Sequence, residues 1–265
     1  MFWFVASSLV GCAALVAGPI ERSDTLARQA GLIPVPVSVP LRAYARVGAG
    51  GKVLTIFVEG DGARWPRGMP PRDPTPEDPL ALRMAIADPA STIAYLGRPC
   101  QYLEDAERAA CAPELWSKAR FGETAVAMSS SAIDALKAAT HATSLRLVGY
   151  SGGGTLAALL ASRRSDVSCL VTVASPIDIE AWVSAIGVSP LSKSFNPIKF
   201  SAQLRNVAQT HYSGGRDAVV PTAILSGYLG QQPNAKSHVI ADNDHECCWA
   251  ENWRVLRQNS CLGAD

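Results

Sequence analysis

Three observations in the sequence predict an α/β protein with a mostly parallel central sheet and helices on both faces. Short apolar runs at 53–58, 145–148 and 169–173 alternate with helix-compatible stretches at 80–87, 123–139 and 155–161, the pattern of strands joined by crossover helices. Gly149-Tyr150-Ser151-Gly152-Gly153 stands where one apolar run meets a run of small residues, as a strand-to-helix turn does. A chain of 265 residues, 48% hydrophobic and 18% charged, can bury a substantial core as one compact domain.

Residues 1–18 are uncharged and mostly apolar, too short to cross a bilayer as a permanent helix but suited to the hydrophobic part of an export signal. Leu9-Val10-Gly11-Cys12 has the form of a lipobox, in which small residues precede a cysteine that is lipidated. The positively charged segment that opens most signals is missing, and an ordinary signal peptide or an uncleaved anchor are the alternatives. Ala13 after that cysteine, by resemblance to sorted bacterial lipoproteins, favours the outer membrane; a periplasmic protein is the alternative.

Residues 19–40 read as an N-terminal linker and edge segment, and 41–265 as the main domain. A hairpin is expected from 41–47, the Gly48 to Gly51 turn and 53–58, after which strands and helices alternate and the glycine-rich turn follows the fifth strand. Pro66, Pro70, Pro71, Pro74, Pro76 and Pro79 stiffen the connection to a helix over 80–87 at the rim of the site. The helix over 123–139 reads as structural.

In a G-x-S-x-G turn the serine backbone is strained, so its neighbours must be nearly free of side chains and the hydroxyl projects from the sheet edge. The following helix aims free N–H groups at the space beside the serine oxygen, where acyl transfer creates an oxyanion. A Walker loop needs a lysine before its Ser or Thr, and Gly154-Thr155 has none. A dinucleotide fingerprint usually opens a domain, whereas this turn lies past the middle of the chain.

A serine nucleophile needs a base to take its proton and a carboxylate to orient that base. A short strand over 207–212 leads into Ser213-Gly214-Gly215-Arg216-Asp217, which puts Asp217 just beyond a strand's carboxyl end. Asp242-Asn243-Asp244-His245 follows another strand, over 237–241, and precedes a terminal helix over 249–256, which makes His245 the base. His141 lies on a connection, and His211 and His238 lie inside strands as packed or surface residues. Asp178, after the strand that follows the nucleophile, is the runner-up acid; Asp242 and Asp244 are too near His245 in sequence to be obvious orienting groups.

The segments Val58-Glu59-Gly60-Asp61-Gly62, Gly149 to Gly153, Gly214 to Pro221 and Asp244 to Trp249 resemble those of the α/β-hydrolase superfamily. More narrowly, the chain resembles a group of poorly characterised bacterial α/β-hydrolase lipoproteins that also carry Arg-Pro-Cys-Gln-Tyr, here Arg98 to Tyr102. The resemblance runs from about Leu41 to Leu256 and implies a Ser151, Asp217 and His245 triad with no cofactor. The superfamily often has His-Gly after its third strand where this chain has Glu59-Gly60; the main-chain N–H groups of Asp61 and Gly152 are the expected oxyanion donors. The fold usually carries its cap where 176–204 lies, an insertion that includes Trp182, Pro190 and Pro197. Its shortness implies an open or shallow site for small or medium acyl-type substrates. The activity implied is hydrolysis of an ester, thioester or amide; an exported acyltransferase and a non-catalytic envelope-binding lipoprotein on the same scaffold are the alternatives.

A formal net charge of +1 and the absence of a basic tract exclude a nucleic-acid partner. Leaving Cys12 aside, an exported protein is expected to oxidise some of Cys100, Cys111, Cys169, Cys247, Cys248 and Cys261. Cys100 with Cys111 clips one loop, Cys247 or Cys248 with Cys261 ties the tail to the His245 loop, and Cys169 is expected as a free core thiol. Adjacent cysteines lack the two-residue gap of common zinc motifs, so no metal is expected at Asp242, Asp244, His245, Cys247 and Cys248.

Overall fold

The computed structural model describes residues 18–48, 51–63 and 69–263. Cys12, its lipobox and Pro66 lie outside the described residues. Among the described residues eight strands form one sheet: β1 Ile33–Pro34, β2 Ala43–Arg46, β3 Val53–Val58, β4 Ile93–Leu96, β5 Ser144–Tyr150, β6 Val167–Val173, β7 Ala208–Gly214 and β8 Lys236–Ile240. Their order is β1-β2-β4-β3-β5-β6-β7-β8. The β1–β2 and β2–β4 pairs are antiparallel and every other pair is parallel.

The expected hairpin does not form. β2 pairs with β4, Ala43 opposite Leu96, while β3 runs parallel between β4 and β5. The physical reason lies in β3 itself: Leu54, Ile56 and Val58 are buried on one face, and Thr55 and Phe57 are buried as well. A strand buried on both faces belongs in the middle of a parallel sheet, so the short β2 goes to the flank.

The period-2 alternation of these strands feeds two cores. Ile56, Val58, Leu147 and Leu170 face α4 (Glu123–Thr140) and α5 (Gly152–Arg163), through Val126, Ile133, Leu136, Leu156 and Leu160. Phe57, Val148, Val171 and Tyr212 face the other side, against α1 (Pro19–Gln29), α2 (Leu80–Ala87) and α8 (Trp249–Asn259), whose Ala27, Leu82, Met84, Trp249 and Trp253 are buried there. Phe57 meets Trp253 edge-on with ring centroids 5.3 Å apart. Residues 19–40 are therefore more than a linker: α1 packs through Ser23 and Ala27, and the Tyr44 hydroxyl donates to Asp24. Only β1 has the expected edge character.

Among the described residues three disulfides are present. Cys100–Cys111 is as expected. Cys169 is not free, and Cys261 does not reach Cys247 or Cys248: Cys169 pairs with Cys261, and Cys247 pairs with Cys248. The 11-residue helix α8 starts after Cys248 and ends before Cys261, so it carries the two ends about 16 Å apart, beyond what one disulfide spans. The tail instead turns back under the sheet, where Leu262 is buried and the Cys261 N–H donates to Thr210 Oγ1 at 3.1 Å.

Candidate active site

The chain crosses from one side of the sheet to the other between β3 and β5: β4 lies beyond β3, and β6 to β8 lie beyond β5. Ligand crevices in open parallel sheets form outside the carboxyl ends of strands at such a switch point. Glu59, Gly60 and Asp61 leave β3 there, and Ser151 leaves β5.

Ser151 has φ 50° and ψ −127°, a backbone conformation that few residues other than glycine adopt. The tight turn requires its glycines. A Cβ on Gly149 would stand 2.3 Å from Gly154 Cα, and one on Gly152 would stand 2.0 Å from Asp61 Oδ1. As the first residue of α5, Gly152 has an N–H with no acceptor inside the helix.

His245 stands between the other two expected residues. Its Nε2 lies 3.0 Å from Ser151 Oγ and its Nδ1 2.9 Å from Asp217 Oδ2. The three are brought together from the ends of β5, β7 and β8. The His245 carbonyl accepts hydrogen bonds from Tyr150 Oη at 3.0 Å and Trp249 Nε1 at 3.0 Å, which fixes the loop from both sides. Asp244 shapes the same loop: its Oδ1 accepts the N–H of Glu246 at 2.8 Å and of Cys247 at 2.7 Å. Those bonds, that from Cys247 foremost, lower the pKa of the Asp244 carboxyl.

The competing residues are engaged elsewhere. Asp178 caps α6 (Ile179–Ile186): its Oδ1 accepts the Ala181 N–H at 3.2 Å and Asn196 Nδ2 at 2.9 Å. Asp242 pairs with Arg216 at 2.6 Å on the surface. His211 is buried and contacts Thr172 Oγ1 through Nδ1 at 2.7 Å; burial lowers its pKa to about 4, so it is a neutral core residue at pH 7.

A cavity of about 830 Å³ opens over Ser151 and His245. Tyr150, Leu80, Trp182 and Val219 give it apolar wall, and Pro76 to Asp78 of the proline-rich connection form part of its rim. Within 176–204 lie only α6 and a 3-10 turn at Pro197–Phe200. Trp182 of α6 reaches across to donate to the Val219 carbonyl at 2.8 Å, tying α6 to the loop that carries Asp217.

The surroundings of Asp61 were not legible in the sequence. Its Oδ1 accepts from Arg98 Nη1 at 2.7 Å and its Oδ2 from Arg120 Nη1 at 2.8 Å. Burial alone would raise the pKa of this carboxyl, but the charges and hydrogen bonds of Arg120 and Arg98 outweigh burial and lower it. Glu59, where the superfamily often has histidine, is buried: Oε1 accepts the N–H of Gly60 at 2.9 Å and of Ala81 at 3.3 Å, and Oε2 accepts Tyr95 Oη at 3.2 Å. Arg98 and Gln101 lie in the Arg-Pro-Cys-Gln-Tyr segment, which the sequence marked only through the family resemblance; nothing marked Arg120. Among the described residues no group of three or more His, Cys, Asp and Glu is arranged to hold a metal ion, and no helix is long and apolar enough to cross a membrane.

No protein-family model matches the chain, and no curated protein matches it in sequence. Solved structures do match in fold. The proline iminopeptidase of Mycobacterium smegmatis superposes with a TM-score of 0.60 at 13% identity, covering 86% of this chain and 95% of that one. Est1E from Butyrivibrio proteoclasticus gives 0.59 at 13% identity over 86% of this chain and 97% of its own. The esterase Pf2001 of Pyrococcus furiosus gives 0.57 at 12% identity over 88% and 92%. These likenesses establish the fold, which is that of the α/β-hydrolases.

Proposed function

From an α/β-hydrolase fold with this constellation at its switch point, we propose that the protein is a serine hydrolase of ester, thioester or amide bonds. The observation that carries the reading is the continuous contact Ser151 Oγ to His245 Nε2 at 3.0 Å and His245 Nδ1 to Asp217 Oδ2 at 2.9 Å. In the first step His245 Nε2 takes the Ser151 proton as Oγ attacks the substrate carbonyl, and the main-chain N–H groups of Gly152 and Asp61 hold the oxyanion. The same nitrogen then gives its proton to the leaving group, and the acyl-enzyme forms. Water, deprotonated by His245, releases the acyl group by the reverse sequence. Asp217 holds the ring in the tautomer with Nδ1–H toward itself and stabilises the imidazolium. The open cavity and short cap favour small or medium acyl groups over a long chain threaded through a channel.

The test is labelling of the purified protein with a fluorophosphonate and mapping of the adduct by mass spectrometry. Label is expected on Ser151 and is absent in Ser151→Ala; a folded wild type that takes no label overturns the reading.

Residues 9–12 support a further proposal, that Cys12 is lipidated and anchors the protein in a bacterial envelope, and Ala13 favours the outer membrane over the inner. Palmitate incorporation in a bacterial host is expected for the wild type and lost in Cys12→Ser. Incorporation that persists in the variant refutes it.

A further inference from the structure

We propose that Gln101, Arg98 and Arg120 are positioning residues that hold the Gly60–Asp61 peptide so that its N–H faces the oxyanion; this rests on the serine-hydrolase reading above. The carbonyl of Gly60 and the N–H of Asp61 belong to one planar peptide unit and point in opposite directions. Fixing the carbonyl therefore aims the N–H. Gln101 Nε2 donates to Gly60 O at 3.0 Å, and Gln101 is held in turn because its Oε1 accepts the Arg98 N–H at 3.0 Å.

The far side of the same peptide is fixed through the Asp61 side chain. Both carboxylate oxygens are occupied, one by Arg98 and one by Arg120. Each guanidinium is itself anchored: Arg98 Nη2 donates to Arg120 O at 2.7 Å, and Arg120 Nε donates to Ser117 O at 2.9 Å. Arg98, Gln101 and Arg120 are 4%, 1% and 8% exposed, while the Asp61 side chain keeps 26% of its surface at the cavity wall. Asp61 Oδ1 also lies in the space that a Gly152 side chain would occupy, so the residues of the two expected oxyanion donors pack directly against each other. The Cys100–Cys111 disulfide and the bond from Cys100 N to Pro40 O at 2.7 Å brace the segment that carries Arg98 and Gln101. A buried ion pair of this kind adds little net stability compared with apolar residues of the same volume. What it supplies here is direction, at a peptide whose N–H must meet a charge that exists only during reaction.

The experiment uses the whole chain, with p-nitrophenyl acetate as substrate and a phenyl trifluoromethyl ketone as a probe that becomes an oxyanion when Ser151 adds to its carbonyl. Gln101→Met and Arg98→Met are each expected to lower kcat by about 10- to 100-fold, the scale of a misaligned catalytic group, with KM within about twofold. Ketone affinity should fall by the same factor as kcat, and Arg98→Lys should recover part of both. A purely structural role would lower melting temperature while leaving kcat per fluorophosphonate-titrated site and ketone affinity unchanged; that result overturns the proposal. Should Arg98→Met fail to fold, Gln101→Met decides alone. A wild type unlabelled at Ser151 sinks the hydrolase reading and this role with it, whereas a labelled wild type with unaffected variants sinks the positioning role only.

Discussion

Asp217 meets His245 through one carboxylate oxygen and its own turn through the other. Oδ2 lies 2.9 Å from Nδ1, while Oδ1 accepts the main-chain N–H groups of Val219 and Val220 at 2.8 Å each. The side chain is fully buried, so the turn from Gly214 to Pro221 fixes the carboxylate against His245. Trp182 bonds to the carbonyl of Val219 in that same turn, which couples α6 to the orientation of Asp217.

The two aspartates that competed for the acid's role should separate cleanly on substitution. Asp217→Asn keeps the shape but presents an amide to Nδ1 and favours the wrong tautomer, so kcat should fall by about 10³- to 10⁴-fold. Asp178→Asn should leave kcat nearly unchanged. Asp178→Ala removes a helix cap and should cost about 1 kcal/mol in urea unfolding with little effect on kcat. The opposite ranking in kcat would transfer the role to Asp178.

The parts of the site that were legible before the structure are those bound to local backbone chemistry. Ser151 announced itself because a strained strand-to-helix turn demands glycines, and Asp217 and His245 because each follows a strand end, in the Ser, Asp, His order of this fold. What was not legible depends on which segments meet in space. Arg120 sits in a turn before α4 with no local signature, and only the folded sheet brings it to Asp61. The order of the first strands failed for a related reason: β2 and β3 are adjacent in sequence, but the two-sided burial of β3 gives it parallel neighbours on both edges. Cys169 looked like a core thiol since nothing local to an apolar strand shows which tail will pass beneath it.

Glu59 should make stability fall as pH rises. Burial, the largest influence, raises its pKa to about 7 despite hydrogen bonds from Gly60, Ala81 and Tyr95. In the unfolded chain the carboxyl loses its proton at about 4.5. The stabilising contribution is therefore complete below about pH 4.5, declines between there and pH 7, and is gone above, with a ceiling of about 3 kcal/mol. Glu59→Gln stays neutral throughout, and its Oε1 can still accept from Gly60 and Ala81. Its melting temperature relative to wild type should climb from pH 5 to pH 8. Parallel curves would mean that Glu59 is ionised in the folded protein at all these pH values.

Cys169–Cys261 should matter for stability and hardly at all for chemistry. The bridge joins residues 92 apart in sequence, and closing so long a segment in the unfolded chain stabilises the fold by on the order of 2–5 kcal/mol. Its place in the sheet keeps it from the site. Cys169 lies opposite Ala208 at the start of the β6–β7 pairing, four residues from the Val173–Tyr212 pair near the carboxyl ends, a separation of about 13 Å along the strand. The loop that carries His245 is held by Tyr150 and Trp249 independently of the tail. Cys261→Ser should therefore lower the urea midpoint while the rate of fluorophosphonate labelling at 25 °C stays within about twofold. Peptide mapping without reductant should recover Cys169 joined to Cys261. Recovery of Cys261 joined to Cys247 or Cys248, or a large fall in labelling rate with no change in midpoint, would place the tail against the His245 loop instead.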